Sequence, residues 1–564
     1  MLEKFSKEIL AFIQKETGVS IAPTNIEHTP NLEMGDYAVG CFELSKKLKK
    51  NPAETARDLA QKFSSPLFEK AQAQGPYLNF FVKKDLYQCE ILKDVLNQKE
   101  RYGTKNIGQG KKVVLEYSSP NIAKPFHVGH FRATNLGNAL KNTYQALGYQ
   151  TVSINYLGDW GTQFGKLITA YKKWGDPQQL KKDPIPYLTS LYVKFHEEVK
   201  TDTTLEDAAR AWFQKCEAQD PEALSLWKQF KDLSLQEFQK LYSELNITFN
   251  EVSGESQYND QIQKTIDTLK AKGLTQKSEG ALIVDLEKDK LPPALLLKTD
   301  GASLYLTRDI AALLDRYERL AFDQKIYVVG IPQTLHFKQL FKIMERMEKT
   351  WAKSCHHVAF GTIRLKDQAM STRMGTAILL EDVLSKAKAK IAKIIQSKNP
   401  NLKNQTETAK RVALGALIFA DFGSKRMKDV TFDWDIILNP EGDTGPYVHY
   451  TYARAASILR KVKQGEIFNP STYNTLASPE EQALFRILER YPNTLEGVAG
   501  DFEPFYLSSY LIELSKAFNR FYHHHRVLQA EMTFQKSRIL LTQATKQVLE
   551  NGLRLLGVLP VSEL

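Results

Sequence analysis

The pattern of hydrophobic and polar positions divides the chain into a short mixed segment, a long alternating segment and a helical tail. Within 106–381, short apolar runs alternate with stretches whose apolar residues recur at helical spacing. Strands that alternate with helices imply right-handed crossovers and a doubly wound parallel sheet. The predicted strands cover 113–117, 151–157, 325–329 and 357–360, and the first predicted helix of this segment covers 135–147.

The segments on either side follow different patterns. Residues 1–105 open with an amphipathic helix, turn at Gly35 and reach an aromatic strand-like run at 77–82, which predicts a small α+β domain. From 382 onward strand signals fade and long helical patterns continue, which predicts an all-α bundle. A stretch at about 171–300, rich in Lys, Glu and Gln, predicts a helical insertion into the sheet domain. The sequence therefore predicts three domains, at 1–105, 106–381 and 382–564.

The composition excludes several classes of protein. With 42% hydrophobic and 25% charged residues, the 564-residue chain differs from disordered and fibrous proteins. No apolar run approaches the roughly 20 residues that span a bilayer, and the first residues lack the apolar core of a secretory signal. Four cysteines stand far apart, which favours free thiols over disulfides or a zinc site. We therefore expect a cytoplasmic protein with no membrane partner.

The charge balance narrows the choice of partner only slightly. The net charge is +11, from 76 basic and 65 acidic side chains. Residues 1–100 contain 14 of each sign, so the whole excess lies in 101–564. A positive excess suits a polyanion, because Lys and Arg contacts with phosphates release condensed counterions. Charge alone does not separate nucleic-acid binding from an ordinary basic surface.

The segment after the first predicted strand, SSPNIAKPFHVGH at 118–130, has the features of a nucleotide site. His127 and His130 share one face of a helix, and Gly129 between them lets a flat ring approach the backbone. The start of the helix supplies unpaired N–H groups and a positive dipole end for phosphate. Two imidazoles there can donate hydrogen bonds to the oxygens of a reacting phosphoryl group. The alternative is a pair of histidines with a purely structural role.

The H-x-G-H string resembles the signature of class I aminoacyl-tRNA synthetases and related nucleotidyltransferases. The longer string at 118–130 resembles the arginyl-tRNA synthetase family in particular. Further segments agree with that family, in the expected order. They are NYLGDWG at 155–161, YLTRD at 305–309, MSTR at 370–373 and GDTGPYVHY at 442–450.

The resemblance implies both a fold and an activity. The fold is α/β: a Rossmann-like, doubly wound parallel sheet of the class I synthetases, a small α+β N-terminal domain that touches the tRNA elbow, and an all-α C-terminal anticodon-binding bundle. The activity is arginine–tRNA ligation in protein synthesis. L-arginine and ATP give arginyl-adenylate and pyrophosphate, and arginine then passes to the 2′-OH of the terminal adenosine of tRNA(Arg). The resemblance also implies that tRNA is bound before arginine is activated.

Cofactor and partner expectations follow from the same resemblance. ATP is the energy source, and Mg²⁺ is carried on ATP, whose phosphate charge it offsets. The sequence contains no dedicated acidic cluster for a metal. The partners are tRNA(Arg), L-arginine and ATP, and we expect a monomer.

The resemblance assigns roles to residues that match the family's motifs. A guanidinium is best held by carboxylates in bidentate geometry, which suits Asp309 with Tyr305 on the same helical face. The implied catalytic residues are Lys124, His127, His130, Ser371 and Arg373. The implied ATP-binding residues are His127, Gly129, His130, Gly137, His336, Met370 and Ser371. The implied arginine-binding residues are Glu116, Asn121, Tyr305, Asp309 and Gln333. The implied tRNA contacts are Tyr77, Asn79, Tyr447, Tyr450 and Arg454.

The second signature loop departs from the class pattern. Ala369 and Thr372 occupy the two positions where lysines commonly stand. In the family, a lysine just before H-x-G-H compensates, and Lys124 matches it. Arg373 and Lys366 are candidate helpers, although Lys366 could equally be an ordinary solvated lysine.

Two other functions remain compatible with the sequence. The chain could be a ligase or nucleotidyltransferase of the same fold that activates another, neutral amino acid. It could also be a non-catalytic RNA-binding relative, although the presence of His127, His130, Lys124 and Asp309 argues against that. Discrimination by charge pairing alone reaches roughly 10⁴–10⁵, so the absence of a second hydrolytic site in the sequence is consistent with an arginine enzyme.

Overall fold

The computed structural model describes residues 2–30, 32–299, 301–366, 378–462 and 475–564. Its N-terminal elements are α1 (Leu2–Thr17), β1 (Ile26–His28), β2 (Tyr37–Gly40), α2 (Phe42–Leu48), α3 (Pro52–Lys62), β3 (Phe68–Gln74), β4 (Tyr77–Val82) and α4 (Lys84–Gln98). The four strands form an antiparallel sheet in the order β1-β2-β4-β3. Phe5, Tyr37, Phe68 and Phe80 are buried between the sheet and α1. The predicted α+β domain is therefore confirmed.

A five-stranded, fully parallel sheet forms the centre of the molecule. The strands are β5 (Lys112–Glu116), β6 (Gln150–Leu157), β7 (Glu251–Gly254), β11 (Gln324–Gly330) and β12 (Cys355–Phe360). Their order is β12-β11-β5-β6-β7. The chain thus adds strands first on one side of β5 and then on the other, which creates a topological switch point between β5 and β11. In such sheets ligands bind beyond the carboxyl ends of the strands at this point.

The helices around the sheet arise from crossovers and from the insertion. α5 (Val128–Ala146) joins β5 to β6, and five helices then precede β7. These are α6 (Thr162–Trp174), α7 (Pro177–Lys182), α8 (Pro184–Glu198), α9 (Thr204–Glu217) and α10 (Pro221–Glu244). The later elements are α11 (Ile262–Ala271), β8 (Gln276–Ser278), β9 (Ala281–Val284), β10 (Ala294–Leu297), α12 (Tyr305–Leu320), α13 (Thr334–Arg346) and β13 (Ile363–Leu365).

The predicted helical insertion at 171–300 is only partly correct. Its long helices end at Glu244, and the chain then contributes β7 to the central sheet. A separate antiparallel sheet follows, in the order β10-β9-β8. The pattern missed β7 because it is a four-residue edge strand in which Val252 is 52% exposed. It missed β8 because all three of its residues are polar and exposed.

The C-terminal part is helical, as predicted, apart from one short strand. Its elements are α14 (Leu380–Lys398), α15 (Gln405–Asp421), β14 (Val430–Phe432), α16 (Trp434–Ile437), α17 (Gly445–Arg460), α18 (Pro479–Asp501), α19 (Phe505–His524) and α20 (Met532–Leu555). β14 pairs in parallel with β13, just before the second signature loop. The N-terminal domain docks onto this part through Glu489 of α18, which accepts hydrogen bonds from Tyr37 and Tyr87. No described helix combines the length and the apolar character needed to cross a membrane.

Candidate active site

An open cavity of about 560 Å³ lies at the carboxyl ends of β5, β6 and β11. All five predicted arginine-binding residues line it, together with His336. The described residues that line it do not include Lys124, His127 or His130, which follow Asn121 along the same β5–α5 connection. The lining includes Glu116, Asn121, Trp160, Glu255, Tyr305, Arg308, Asp309, Gln333 and His336.

The β5–α5 connection has an unusual backbone. Ser118, Ser119 and Ala123 have φ values of 73°, 48° and 59°, in the left-handed region that non-glycine residues seldom adopt. Buried hydrogen bonds hold this path. The Ser118 hydroxyl lies 2.7 Å from that of Tyr242, and Asn155 Oδ1 accepts the Ser119 N–H at 3.1 Å. Asn155 belongs to the NYLGDWG motif, so that motif stabilises the connection to the signature histidines.

His127 and His130 form a stacked pair at the start of α5. His127 is the N-cap, and its Nδ1 accepts the Gly129 N–H at 3.1 Å, while His130 Nδ1 accepts the His127 N–H at 3.2 Å. The ring centres are 3.8 Å apart. A Cβ at Gly129 would lie 2.9 Å from the His127 ring, so the glycine is required by the histidine pair itself.

The electrostatics of the pair keep both rings neutral. Burial, followed by the charge of Lys124, lowers the pKa of His127 to about 4. Burial also lowers the pKa of His130, and His127 and Lys124 lower it further. Because both Nδ1 atoms accept hydrogen bonds, each ring carries its proton on Nε2. The pair therefore presents two neutral N–H donors, which suits phosphate oxygens.

The structure gives Lys124 and Gly137 different surroundings. The Lys124 ammonium lies 5.8 Å from the ring centre of Tyr192 on α8, so the insertion contacts the signature segment. Gly137 is buried in α5, and a Cβ there would lie 2.1 Å from the Tyr117 ring. Gly137 therefore lets α5 pack closely against Tyr117 at the end of β5, and its predicted contact with ATP stays a prediction.

Asp309 and His336 connect the two helices that line the cavity. Asp309, one turn into α12, lies with its Oδ2 2.7 Å from His336 Nε2 on α13. The Tyr305 ring, 53% exposed, stands 5.0 Å from the His336 ring. Gln333 is exposed in the short 3₁₀ turn Ile331–Gln333 just before α13. His336, predicted as an ATP contact, thus belongs to the same cluster as the predicted arginine ligands.

Glu116 lines the cavity, but cations of the chain already surround its carboxylate. Arg316 donates to Glu116, and the Lys325 ammonium lies 2.9 Å from the same oxygen. Glu116 is only 5% exposed. Burial lowers the pKa of Lys325 to about 8, with Glu116 opposing that shift. A guanidinium at Glu116 would share this carboxylate with two internal cations.

Glu255 is a cavity residue that the sequence did not indicate. It begins the 3₁₀ helix Glu255–Gln261 directly after β7. Burial, and then the negative charge of Asp309, raise the pKa of Glu255 to about 8. Asp159 fixes this segment by accepting the Ser256 N–H at 2.8 Å and its hydroxyl at 2.7 Å. A prediction of β7 would have supplied the missing signal, since Glu255 stands at its carboxyl end.

Comparisons with known proteins agree with this architecture. The sequence matches the family described as tRNA synthetases class I (R), catalytic domain, over residues 91–434. It also matches the arginyl tRNA synthetase N terminal domain over 3–82 and the DALR anticodon binding domain over 448–564. An arginine–tRNA ligase of Clostridium kluyveri is 46% identical over 535 residues, which cover 94% of each chain. That of Clostridium beijerinckii is 45% identical over 98% of this chain and 99% of the relative.

The chain belongs to the arginyl-tRNA synthetase family. Solved structures support the class I fold. Arginyl-tRNA synthetase from Thermus thermophilus has a TM-score of 0.83 at 24% identity, with all of both chains covered. That from Plasmodium falciparum has a TM-score of 0.81 at 25% identity, covering 100% of this chain and 99% of the other. The predictions of the family and of its fold are therefore confirmed.

The tRNA contacts that the arginyl-tRNA synthetase family implies lie in the two flanking parts. Tyr77 is 43% exposed and packs edge-on against Phe42, itself 49% exposed, with ring centres 5.8 Å apart. Asn79 is only 4% exposed, and its amide donates to Gln74 at 3.2 Å. The exposed ring of Tyr77 is therefore open to stacking by a base, whereas the side chain of Asn79 is covered by its neighbours in the sheet. Both contacts stay predictions.

The three contacts expected in the C-terminal part lie on α17 and are half-buried. The Lys398 ammonium lies 5.3 Å from the Tyr450 ring centre. Arg454 donates to Asn519 and stands 5.1 Å from the Tyr522 ring centre. Tyr450 and Arg454 line a shared surface cavity. They are thus already held in place by neighbouring side chains, and with Tyr447 they stay predicted tRNA contacts.

Part of the predicted catalytic loop lies outside the described residues. This applies to Met370, Ser371 and Arg373, as well as to the departing positions 369 and 372. Lys366, just before the loop, is exposed and forms an ion pair with Asp433 at 2.8 Å.

Proposed function

We propose that the chain is an arginine–tRNA ligase that forms arginyl-adenylate from L-arginine and ATP and transfers arginine to the 2′-OH of the terminal adenosine of tRNA(Arg). The observation that carries this proposal is the pair of carboxylates, Asp309 and Glu255, in one cavity beside the segment that leads to the signature histidines. Such a cavity favours a cationic amino acid.

The cationic side chain of arginine would complete the charge balance of this cavity. Asp309 uses one carboxylate oxygen for His336, which leaves the other for the substrate. Glu255 is held largely protonated at neutral pH by burial and by Asp309, and a guanidinium nearby would favour its ionised form. Tyr305, Asn121 and Gln333 supply further polar contacts. A neutral amino acid would leave the second oxygen of Asp309 without a cationic partner, which is the physical basis of the proposed selectivity.

ATP would bind at the start of α5. The Nε2–H groups of His127 and His130 and the positive end of the helix are suited to phosphate oxygens. Lys124 adds a cation there, and Mg²⁺ arrives with ATP as part of the substrate. The arginine carboxylate attacks the α-phosphate and pyrophosphate leaves. The 2′-hydroxyl of tRNA then attacks the carbonyl of the adenylate and AMP leaves.

The finer parts of the proposal rest on family resemblance. They include the domain boundaries at 105 and 381, the elbow and anticodon contacts, the monomeric state and the requirement for tRNA before activation. The family-level partners are ATP, arginine and tRNA.

The test is pyrophosphate exchange into ATP by the purified chain in the presence of a tRNA(Arg) transcript. We expect exchange with L-arginine and none with citrulline, whose side chain has a similar shape without the charge. Asp309→Asn should raise the KM for arginine by about 10- to 100-fold, the loss expected for a charge-assisted hydrogen bond. Asp207→Asn, an exposed acid on α9, is the matched control.

Two outcomes would overturn the proposal. Exchange driven only by a neutral amino acid would contradict the assignment of the cavity. Binding of tRNA without exchange or charging by any amino acid would favour a non-catalytic RNA-binding protein.

A further inference from the structure

The two oxygens of the Glu116 carboxylate have very different surroundings. Arg316 and Lys325 both donate to the same oxygen, Oε2, and the bond from Lys325 measures 2.9 Å. Within the described parts of the chain, no hydrogen bond reaches the other oxygen, Oε1. Because Glu116 lines the cavity, Oε1 is the atom of this carboxylate that remains for a substrate.

The central sheet places both cations behind aromatic rings of the cavity wall. Tyr327 of β11 is in register with Glu116 of β5, and Lys325 stands two residues before Tyr327, so it lies on the same face of the sheet. The Lys325 ammonium lies 4.4 Å from the Tyr327 ring centre, and the Arg316 guanidinium lies 4.4 Å from that of Tyr156. Both tyrosines line the cavity, whereas neither cation is among the described residues that do so. The cations therefore reach the cavity only through Glu116.

This arrangement leaves the Arg316 guanidinium only partly satisfied. Its Nε and Nη2 atoms are buried and have no hydrogen-bond partner in the described structure. Buried donors without partners are unfavourable, and a guanidinium commonly binds a carboxylate through two parallel hydrogen bonds. A turn of the Glu116 carboxylate would bring Oε1 to Arg316 and away from the cavity. The hydrogen bond from Lys325 to Oε2 opposes that turn.

The stability of the fold does not explain a lysine at this position. Lys325 is fully buried, and it shares the single negative charge of Glu116 with Arg316. Its pKa of about 8 leaves the ammonium mostly protonated at pH 7, so the cluster holds two cations and one carboxylate. A buried charge without a counter-charge of its own is unfavourable for folding.

We propose that Lys325 is a positioning residue for arginine binding, which limits Glu116 to one hydrogen bond with Arg316 and thereby keeps Oε1 turned towards the substrate. The proposal rests on the proposed function, since it assumes that a cationic group of arginine binds in this cavity. Lys325 acts through Glu116 and does not contact the substrate itself.

The test is Lys325→Met, which removes the donor and preserves an unbranched side chain. We expect the KM for arginine in pyrophosphate exchange to rise by about 10- to 100-fold, the loss expected for a charge-assisted hydrogen bond. The KM for ATP and kcat should stay within about twofold, because the histidine pair is unchanged. Stability towards urea should not decrease, since a buried charge is removed. A crystal structure of the variant should show both Glu116 oxygens on Arg316.

The matched control is Lys112→Met. Lys112 begins the same strand as Glu116 at the end away from the cavity, and its ammonium donates to the Leu320 carbonyl at 2.7 Å. This control should leave the KM for arginine unchanged. If Lys325→Met does not fold, Lys325→Gln is measured in its place. Its neutral amide donates a weaker hydrogen bond, so the KM for arginine should still rise by about threefold or more.

Three results separate the possible failures. A folded Lys325 variant with the wild-type KM for arginine would overturn this inference and leave the proposed function standing. Equal increases in the KM for arginine and the KM for ATP would also overturn it, because they would indicate a general loss of structure. A wild-type chain that shows no exchange with arginine would overturn the proposed function itself.

Discussion

Arg132 and Asp421 form a buried ion pair, with Nε and Oδ1 3.1 Å apart, that joins the signature helix α5 to α15. Arg132 also donates to the carbonyls of Gly361 at 2.8 Å, Lys428 at 3.0 Å and Arg426 at 3.1 Å. Burial raises the pKa of Asp421 to about 7, and Arg132 opposes this shift. One guanidinium thus holds the signature helix, the segment before β13 and the segment before β14 together.

The first prediction concerns the stability that this pair provides. Asp421→Ala should lower the free energy of unfolding by about 3–5 kcal/mol, because Arg132 remains buried without its counter-charge. Replacing both residues with apolar ones of similar size should cost less than the sum of the single changes. Urea unfolding of the four proteins in a double-mutant cycle measures this, and additive effects would contradict it. Glu197→Ala, which breaks the exposed pair with Lys200, should change stability by less than about 1 kcal/mol.

The second prediction separates chemistry from binding at the histidine pair. His127→Ala and His130→Ala should each slow adenylate formation by about 10²–10³-fold, as expected for removing a preorganised donor to a reacting phosphoryl group. Affinity for tRNA should stay within about twofold. His524→Ala, an exposed histidine at the end of α19, should change neither property. Equal losses of both properties would mean that the histidines only support the fold.

The third prediction concerns the protonation of Glu255. Because burial and the charge of Asp309 raise its pKa to about 8, Glu255 is mostly protonated at pH 7 and should lose its proton when arginine binds. Calorimetry of arginine binding in buffers of different ionisation enthalpy should therefore report release of up to one proton. Affinity for arginine should rise as pH increases from 6 to 8. Glu255→Gln should abolish the proton release, and an unchanged release would rule out this residue as its source.

The fourth prediction concerns acid stability. His449 on α17 is fully buried against Gly415 of α15, and burial lowers its pKa to about 4. Between pH 6.5 and 4 the unfolded chain binds a proton there that the folded chain does not, so stability falls as pH falls. His449→Gln should remove this contribution. Urea titrations at several pH values give the free energy of unfolding as a function of pH. Between pH 6 and 4.5, its slope should be shallower in the variant than in the wild type by about 1.4 kcal/mol per pH unit, and identical slopes would contradict the assignment.

The central sheet was predictable because its inner strands are buried on both faces and appear as continuous apolar runs. The strands around Leu115, Ile154 and Val328 fall within one or two residues of the predictions. Short edge strands such as β7 lack that signal, since one side faces solvent. β8 was missed because its three residues are polar and exposed, whereas β9 and β10 are apolar runs of only four residues, too short to be told from buried helix segments by periodicity.

The candidate site was predictable where the chemistry lies within one motif. The closeness of His127 to His130 and of Tyr305 to Asp309 agrees with their spacings of three and four residues, whereas the position of His127 as the N-cap, just outside α5, was not predicted. The partners of Glu116 could not be foreseen, because Arg316 and Lys325 stand about 200 residues away along the chain. The same limit hid the proximity of Glu255 to Asp309, which depends on β7 joining the sheet.

The parallel pairing of β13 with β14 has a consequence for dissecting this enzyme. Ile363 is in register with Val430, and Leu365 with Phe432. The strand that leads into the second signature loop, β13, therefore pairs with a strand that follows α15 in the chain. A fragment cut at 381 would expose that strand edge to aggregation. A chimera that exchanges tails between relatives therefore has to be spliced after Phe432, with both strands taken from the same parent.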